Sequence, residues 1–390
     1  MKLVIVTNTP HYRVGECLYA YGPYAREIDI WADLFTEVLI VAPCRWDTPP
    51  TSNFLAFTKS NILILPQKDR SYKTFIDHIS FFLNLPKYFL SLSRALQKGE
   101  AILIRCPGWS GFLGAVLAPL FTKYLIAKYA GQWHGYVDEP FSWRLQRFIL
   151  RSWWWRKGLV MVYGEWPDQP TQIIPFFTST MTTKQVWNGT EAARHKRLSP
   201  PFHILFVGRL ISEKGVDILL RAANILLKWS IPFKLSLVGD GPDRNRLVWI
   251  VERLELVDHV EFVGDLPYDE VMSWYEKAHM LVLPSQSEGW PKVLGEAMCY
   301  GLVCIGTDRG LMPWLLKERG FVVPYGDEEA LAVRMRCILE DPIMYQNLSK
   351  AASNWAQKYS IEEVKEALSR LLKDRWSYEF FKLGYKSHPG

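Results

Sequence analysis

The sequence predicts an α/β protein built as two doubly wound, Rossmann-like domains, each a parallel sheet flanked by helices. Three observations carry this. Short runs of branched apolar residues alternate with longer helical patterns along nearly all of the 390 residues. The apolar runs are continuous rather than interleaved with polar residues, as in strands buried on both faces of a parallel sheet. The alternation also occurs twice, on either side of a polar, basic and proline-paired stretch, RHKRLSPPFH at 194–203.

In the first half the predicted strands are KLVIVT (2–7), EVLIVA (37–42), NILILP (61–66), AILIRC (101–106), YLIAKY (124–129) and LVMVYG (159–164). Segments between them, such as YKTFIDHISFFLNLPKYFLSLSRALQKG, read as helices. The second half repeats the scheme with FHILFVG, KLSLVGDG, VEFVGD, MLVLPS, LVCIGT and GFVVPYG. The expected division is a domain over 1–195, a second over 202–370, and a tail over 371–390 that packs back on the first.

Composition narrows the function classes. Hydrophobic residues make up 49% of the chain, enough for two cores. The net charge of +6 favours an anionic partner: a nucleotide diphosphate, a lipid headgroup or nucleic acid. No basic low-complexity tail or zinc-finger spacing is present, so nucleic acid is the weakest of the three and is not expected. The six cysteines are scattered without a Cys-x-x-Cys pair, the pattern of reduced thiols in a cytoplasmic protein. No apolar run of ~20 residues is free of charges and breakers, so no membrane span is predicted. The start, MKLVIVTNTP, reads as a strand and turn, without the apolar core of a signal peptide.

Ligands of open parallel sheets bind beyond the carboxyl ends of the strands, so the loops after each strand are the ones to inspect. After FVG comes RLISEKG, with Arg209 and Lys214 in a strand-to-helix connection. Two cations beside a helix start suit a diphosphate, the alternative being solvated surface charge. VGDGPDRNRL (238–247) reads as a tight turn before a helix. In SEGWPKVLGEAM (287–298), Pro291 suits the first helical position, leaving the N–H groups of Lys292, Val293 and Leu294 to face an anion. Glu288 precedes the helix, and Glu296 lies inside it, where its carboxylate can accept from paired hydroxyls such as those of a ribose. The alternative for Glu296 is an i, i+4 partner of Lys292, in the weaker orientation and contributing only ~0.2–0.5 kcal/mol.

Taken together, VGRLISEKG, LVGDGP, VEFVGDLP and LPSQSEGWPKVLGEAMCYG, in this order and spacing, resemble the carboxyl-terminal half of family 4 retaining glycosyltransferases. The resemblance is specific over 202–340, including the Glu-x7-Glu motif, and looser over 1–200. It implies the GT-B fold: two Rossmann-like domains facing across a cleft, the first on the acceptor side and the second holding a nucleotide-sugar donor. It implies that Arg209 and Lys214 hold the donor diphosphate and that Glu296 binds the ribose hydroxyls. Glu288, with Gly289, Trp290, Lys292, Val293 and Leu294, would meet the transferred sugar and its phosphate. Phe262 and Val263 fall where the family's backbone contacts the base. No cofactor and no metal are implied.

In the first half, AKYAGQWHGYVDE puts His134 in the loop after a strand, followed by Gly135. A lone histidine is more often structural, but the resemblance implies a histidine near the transferred sugar and makes His134 catalytic alongside Glu288. The family's paired glycines after the first strand are not matched; TNTPHYRVGECLYAYG offers Gly15, which is carried over to the donor. Arg105 reads equally as a ligand contact or a structural residue.

FSWRLQRFILRSWWWRKG (141–158) mixes three consecutive tryptophans with Arg144, Arg147, Arg151, Arg156 and Lys157. It reads as peripheral contact with the cytoplasmic face of an anionic membrane, or as a buried aromatic helix with solvated arginines. The expected reaction is transfer from a nucleotide-diphosphate sugar to a glycan or lipid-linked acceptor. The rival readings are a sugar-nucleotide epimerase on the same fold and a nucleotide-sugar-binding protein without transfer. A dehydrogenase is disfavoured, because no Gly-x-Gly-x-x-Gly follows the first strand.

Overall fold

A computed structural model describes residues 1–46, 54–67, 75–136 and 139–376, with backbone only over 75–85. The strands are β1 (Lys2–Val6), β2 (His11–Val14), β3 (Cys17–Tyr21), β4 (Glu37–Arg45), β5 (Phe54–Ala56), β6 (Ile62–Gln67), β7 (Ala101–Cys106), β8 (Tyr124–Tyr129), β9 (Leu159–Tyr163), β10 (Ile173–Phe176), β11 (Phe202–Val207), β12 (Phe233–Val238), β13 (Val260–Gly264), β14 (Met280–Leu283), β15 (Val303–Thr307) and β16 (Gly320–Val323). The helices are α1 (Gly22–Leu34), α2 (Phe75–Leu96), α3 (Trp109–Leu117), α4 (Phe141–Arg151), α5 (Thr183–His195), α6 (Val216–Lys228), α7 (Arg244–Arg253), α8 (Tyr268–Lys277), α9 (Lys292–Cys299), α10 (Met312–Leu316), α11 (Glu328–Glu340), α12 (Pro342–Ala356) and α13 (Ile361–Trp376).

The described residues form two compact units, one from Met1 to Phe177 with those from Val364 to Trp376, the other Thr178–Glu363. The first unit has the sheet order β10-β9-β8-β7-β1-β4-β2-β3-β5, with β6 also on β4. Its core strands pair in parallel, and the order reverses at β1, which lies between β4 and β7. The second unit has the order β13-β12-β11-β14-β15-β16, all parallel, reversing at β11. Each predicted strand is present. Sequence patterning missed β2, β3, β5 and β10, which have too few residues to show a period; β5 and β10 are the sheet's end strands, and β10 even holds Pro175, tolerated at a sheet margin.

The polar 194–203 stretch lies inside the second unit rather than between the two. The reason is packing: Gly189 of α5 sits so close to α9 that a Cβ there would come within 2.9 Å of the Cys299 sulfur. At the other end, α13 belongs from Val364 to the first unit. Its Lys365 pairs with Asp33 at 2.8 Å, and Trp376 meets the rings of Phe35 and Tyr124. Residues 377–390 of the predicted tail lie outside the described residues. Among the described residues no helix is long and apolar enough to cross a membrane.

Candidate functional site

In the second unit the loops after β11 and β14 meet. The turn Ser212–Lys214 follows β11 and ends at Gly215, which takes φ +65°. A side chain there would put its Cβ 2.3 Å from the carbonyl oxygen of Pro284, so only glycine lets this turn lie on the end of β14. The Gln286 N–H then donates to the Glu213 carbonyl at 2.8 Å and joins the two loops. This positions Lys214 against Glu288. They form a direct ion pair, with the lysine side chain 25% and the glutamate 13% exposed. Glu288 is itself fixed from behind, since the Leu311 N–H donates to its carbonyl at 3.2 Å. Arg209, after β11, is exposed.

The helix after this loop starts one residue later than expected. Pro291 is the N-cap with φ −74° and ψ 93°, and α9 begins at Lys292. The N–H of Leu294 donates to the Pro291 carbonyl at 3.0 Å, so it does not face outward for an anion as predicted. The amide of Val293 has no hydrogen-bond partner among the described residues.

Glu296, one turn further, is buried, and its environment is the main surprise. Its Oε1 accepts from the hydroxyls of Thr180 and, at 3.1 Å, of Tyr268; its Oε2 accepts from Tyr275 at 2.8 Å. A carboxylate offers about four acceptor positions, and the protein fills three. Burial and the neighbouring carboxylate push the Tyr275 phenol well above its usual range, which keeps it a donor. An i, i+4 ion pair with Lys292 is therefore not what holds Glu296.

Residues 190–355, which contain all of these side chains except Thr180, match the family model described as glycosyl transferases group 1. A putative colanic acid biosynthesis glycosyltransferase, WcaL, of Salmonella typhimurium is 28% identical over 182 residues, covering 44% of this chain and 45% of that protein. The chain spans about half or less of the length of the first curated relatives it matches. Among solved structures, a sucrose-phosphate synthase from Thermosynechococcus elongatus superposes with TM-score 0.71 at 20% identity, covering 96% of this chain and 99% of that one. HepE from Anabaena, in complex with UDP and glucose, superposes with TM-score 0.67 at 15% identity, covering 95% and 99%. The fold is thus GT-B, with two Rossmann-like α/β units.

Within the matched residues, the Trp290 ring is not free to meet a sugar. It packs against Trp314, Trp355 and Tyr359, with ring centroids 6.1–6.3 Å away, and so anchors the loop that carries Glu288 and Gly289. Lys292 and Glu296 line a small pocket with Thr180, Gly295 and Trp355. Phe262, on β13, lies under the guanidinium of Arg244 at 5.9 Å, with Val263 beside it at the strand's end.

In the first unit, His134 is exposed beyond the carboxyl end of β8 and stacks on Trp166, centroids 5.4 Å apart and planes at 12°. Gly15 is the first residue of the two-residue loop joining antiparallel β2 and β3, where its φ of +58° is what a glycine-first hairpin turn needs. That turn accounts for the glycine without a ligand. Arg105 resolves to its structural reading. It pairs with buried Glu27, which also binds Lys128 at 2.9 Å, and it lies 4.9 Å from the Tyr24 ring. Neither Glu27 and Lys128 nor the hydroxyls of Thr180, Tyr268 and Tyr275 were signalled by any motif.

Proposed function

We propose that the chain is a family 4 retaining glycosyltransferase that moves a sugar from a nucleotide-diphosphate donor to a glycan or lipid-linked acceptor, without a metal. The observation that carries this is the partly exposed Lys214–Glu288 pair beside the start of α9, inside the residues that match the group 1 family. A cation in that position can leave a carboxylate for a diphosphate, which offers more charge and more acceptors. Arg209 is the second cation, and the Val293 amide adds a donor at a helix start. UDP as the nucleotide is supported by the UDP held by HepE, and surface-polysaccharide assembly by the colanic acid relative.

In the proposed step the acceptor oxygen bonds to the anomeric carbon on the face from which the diphosphate leaves. The acceptor proton passes to a departing diphosphate oxygen, giving the glycoside and the nucleoside diphosphate. Arg209, Lys214 and the helix-start amide stabilise the charge that develops on the leaving group. Glu288, released from Lys214, faces the sugar carbon as it gains positive character, and His134 holds a sugar hydroxyl. In this reading a ribose diol takes the acceptor positions on Glu296 to which Thr180 and Tyr268 now donate. The test is release of UDP from UDP-sugars with a bacterial glycan or lipid-linked acceptor, with and without excess chelator. Equal rates are expected. A loss that magnesium restores overturns the metal-independent route, and UDP binding without any transfer makes the chain a binding protein.

A further inference from the structure

Residues 101–164 hold eight lysines and arginines against two acids, Asp138 and Glu139, an excess of six that equals the formal net charge of the whole chain. The remaining residues are balanced. Glu139 does not offset this at the surface, because its fully buried carboxylate is held by Arg147, with the 59%-exposed Arg144 side chain at 3.7 Å. Arg105 and Lys128 are held on Glu27, so the cations this segment shows to solvent are Lys123, Arg144, Arg151, Arg156 and Lys157.

The same segment exposes its aromatics. α4 buries Gln146 and Leu150 and turns the opposite stripe to solvent. That stripe, at i, i+3, i+7 and i+10, reads Phe141, Arg144, Phe148, Arg151, about 15 Å of helix at 1.5 Å per residue. Phe141 is 76% exposed, Phe148 70%, and Trp153 just beyond the helix 79%. Trp153 continues onto the surface of α3, since its neighbour Trp154 donates its indole N–H to the Val116 carbonyl at 2.9 Å, and Val116 is itself exposed. Of the three consecutive tryptophans Trp155 is fully buried with its N–H on the Ala115 carbonyl at 2.7 Å, and Trp154 packs half-buried against the same core, which leaves Trp153 outside. Arg151, Arg156 and Lys157 are exposed and have no ion-pair partner among the described residues. An ordinary surface helix places charge on this stripe and aromatics on the other face; here both share the outer stripe.

We propose that this face, formed by α4, the Trp153 turn and the adjoining end of α3, docks on an anionic phospholipid surface. Phe141, Phe148 and Trp153 enter the headgroup–acyl boundary, and Arg144, Arg151, Arg156 and Lys157 pair with lipid phosphates. The charge complementarity selects this occupant: a second copy would set two cationic faces against each other without an acid on either. The proposal is independent of glycosyl transfer, and its test measures binding alone.

The test is co-sedimentation of the full chain with vesicles of phosphatidylglycerol and phosphatidylcholine, or of phosphatidylcholine alone. Binding is expected only to the anionic vesicles, falling as salt rises. Phe148→Ser with Trp153→Ser should lower the partition about tenfold or more by removing inserted apolar surface. Arg151→Glu with Arg156→Glu should lower it at least ~25-fold, at about fivefold per basic charge lost, and flatten the salt dependence. Both variants replace exposed side chains, so their thermal unfolding should match wild type. Equal binding to neutral vesicles, or variants that bind like wild type, overturns the proposal. So does a dimer in light scattering that Phe148→Ser dissolves, which would assign the face to a second copy.

Discussion

Each unit joins a carboxylate to lysine or arginine near the carboxyl ends of its strands, and the two clusters differ in depth. In the first unit Glu27 is buried with one oxygen on Arg105 and the other on Lys128, at the reversal between β1 and β7. In the second, Lys214 and Glu288 pair between loops with part of each side chain in water. A buried cluster is locked, because separating it strands charge in a poor solvent. A pair with part of each side chain in water loses less on separation, because solvent or a ligand can take the partner's place. The lesson is that a charged residue after a strand marks a ligand site only when its partner can let go. Arg105 and Lys214 look alike in sequence and differ in that respect.

The comparison breaks first at Glu27. Glu27→Ala leaves two buried cations without their shared partner and should destabilise the protein by about 3–5 kcal/mol, read by denaturant or thermal unfolding. Glu288→Gln should cost no more than about 1 kcal/mol in the same assay. Equal losses would mean that the two clusters play the same role.

Acid provides the next test, since each unit also buries a histidine whose pKa burial lowers to about 4: His11 in the first and His279 in the second. For His11 the Arg105 charge adds to the effect, and for His279 those of Lys196 and His203 do. His279 accepts the His203 N–H on Nδ1 at 2.9 Å, which fixes it neutral. The unfolded chain takes up these protons near pH 6.5 and the folded one only near 4, so the unfolded state binds more protons between those values. Stability is therefore full above pH 6.5 and falls as pH drops to 4, by about 2–3 kcal/mol for each histidine. Unfolding free energies measured across that range should show the slope, and a flat profile would contradict neutral burial.

Smaller effects separate the catalytic reading from the binding one. Glu288→Gln should lower turnover about a hundredfold while UDP affinity, by calorimetry, barely moves, the pattern of a contact made mainly in the transition state. Matching losses in both would place Glu288 in ground-state binding instead. Glu296→Gln should weaken UDP about tenfold, at the lower end for a hydrogen bond to a charged group, because protein hydroxyls already occupy most of the carboxylate. Wild type should also prefer UDP over its 2′-deoxy form, and the variant should not. An undiminished preference in the variant would remove Glu296 from the ribose.

The sequence by itself determined the repeated strand–helix alternation, the positions of the main strands and the helices after them, and the segment 141–158 as aromatic and basic. These rest on short-range regularities: apolar runs, a proline at a helix start, glycines in turns. It also brought Arg209, Lys214, Glu288 and Glu296 together as one motif series, since each follows a strand of the same sheet. The tertiary structure decided the partners. Thr180 reaches Glu296 across 116 residues, Tyr268 across 28 and Tyr275 across 21, and Lys214 reaches Glu288 across 74. No local pattern encodes such separations, because they follow from the order of strands in the sheet. The same holds for α4: its composition was legible, but which stripe faces water depends on the surface it packs against, and that packing left its phenylalanines outside.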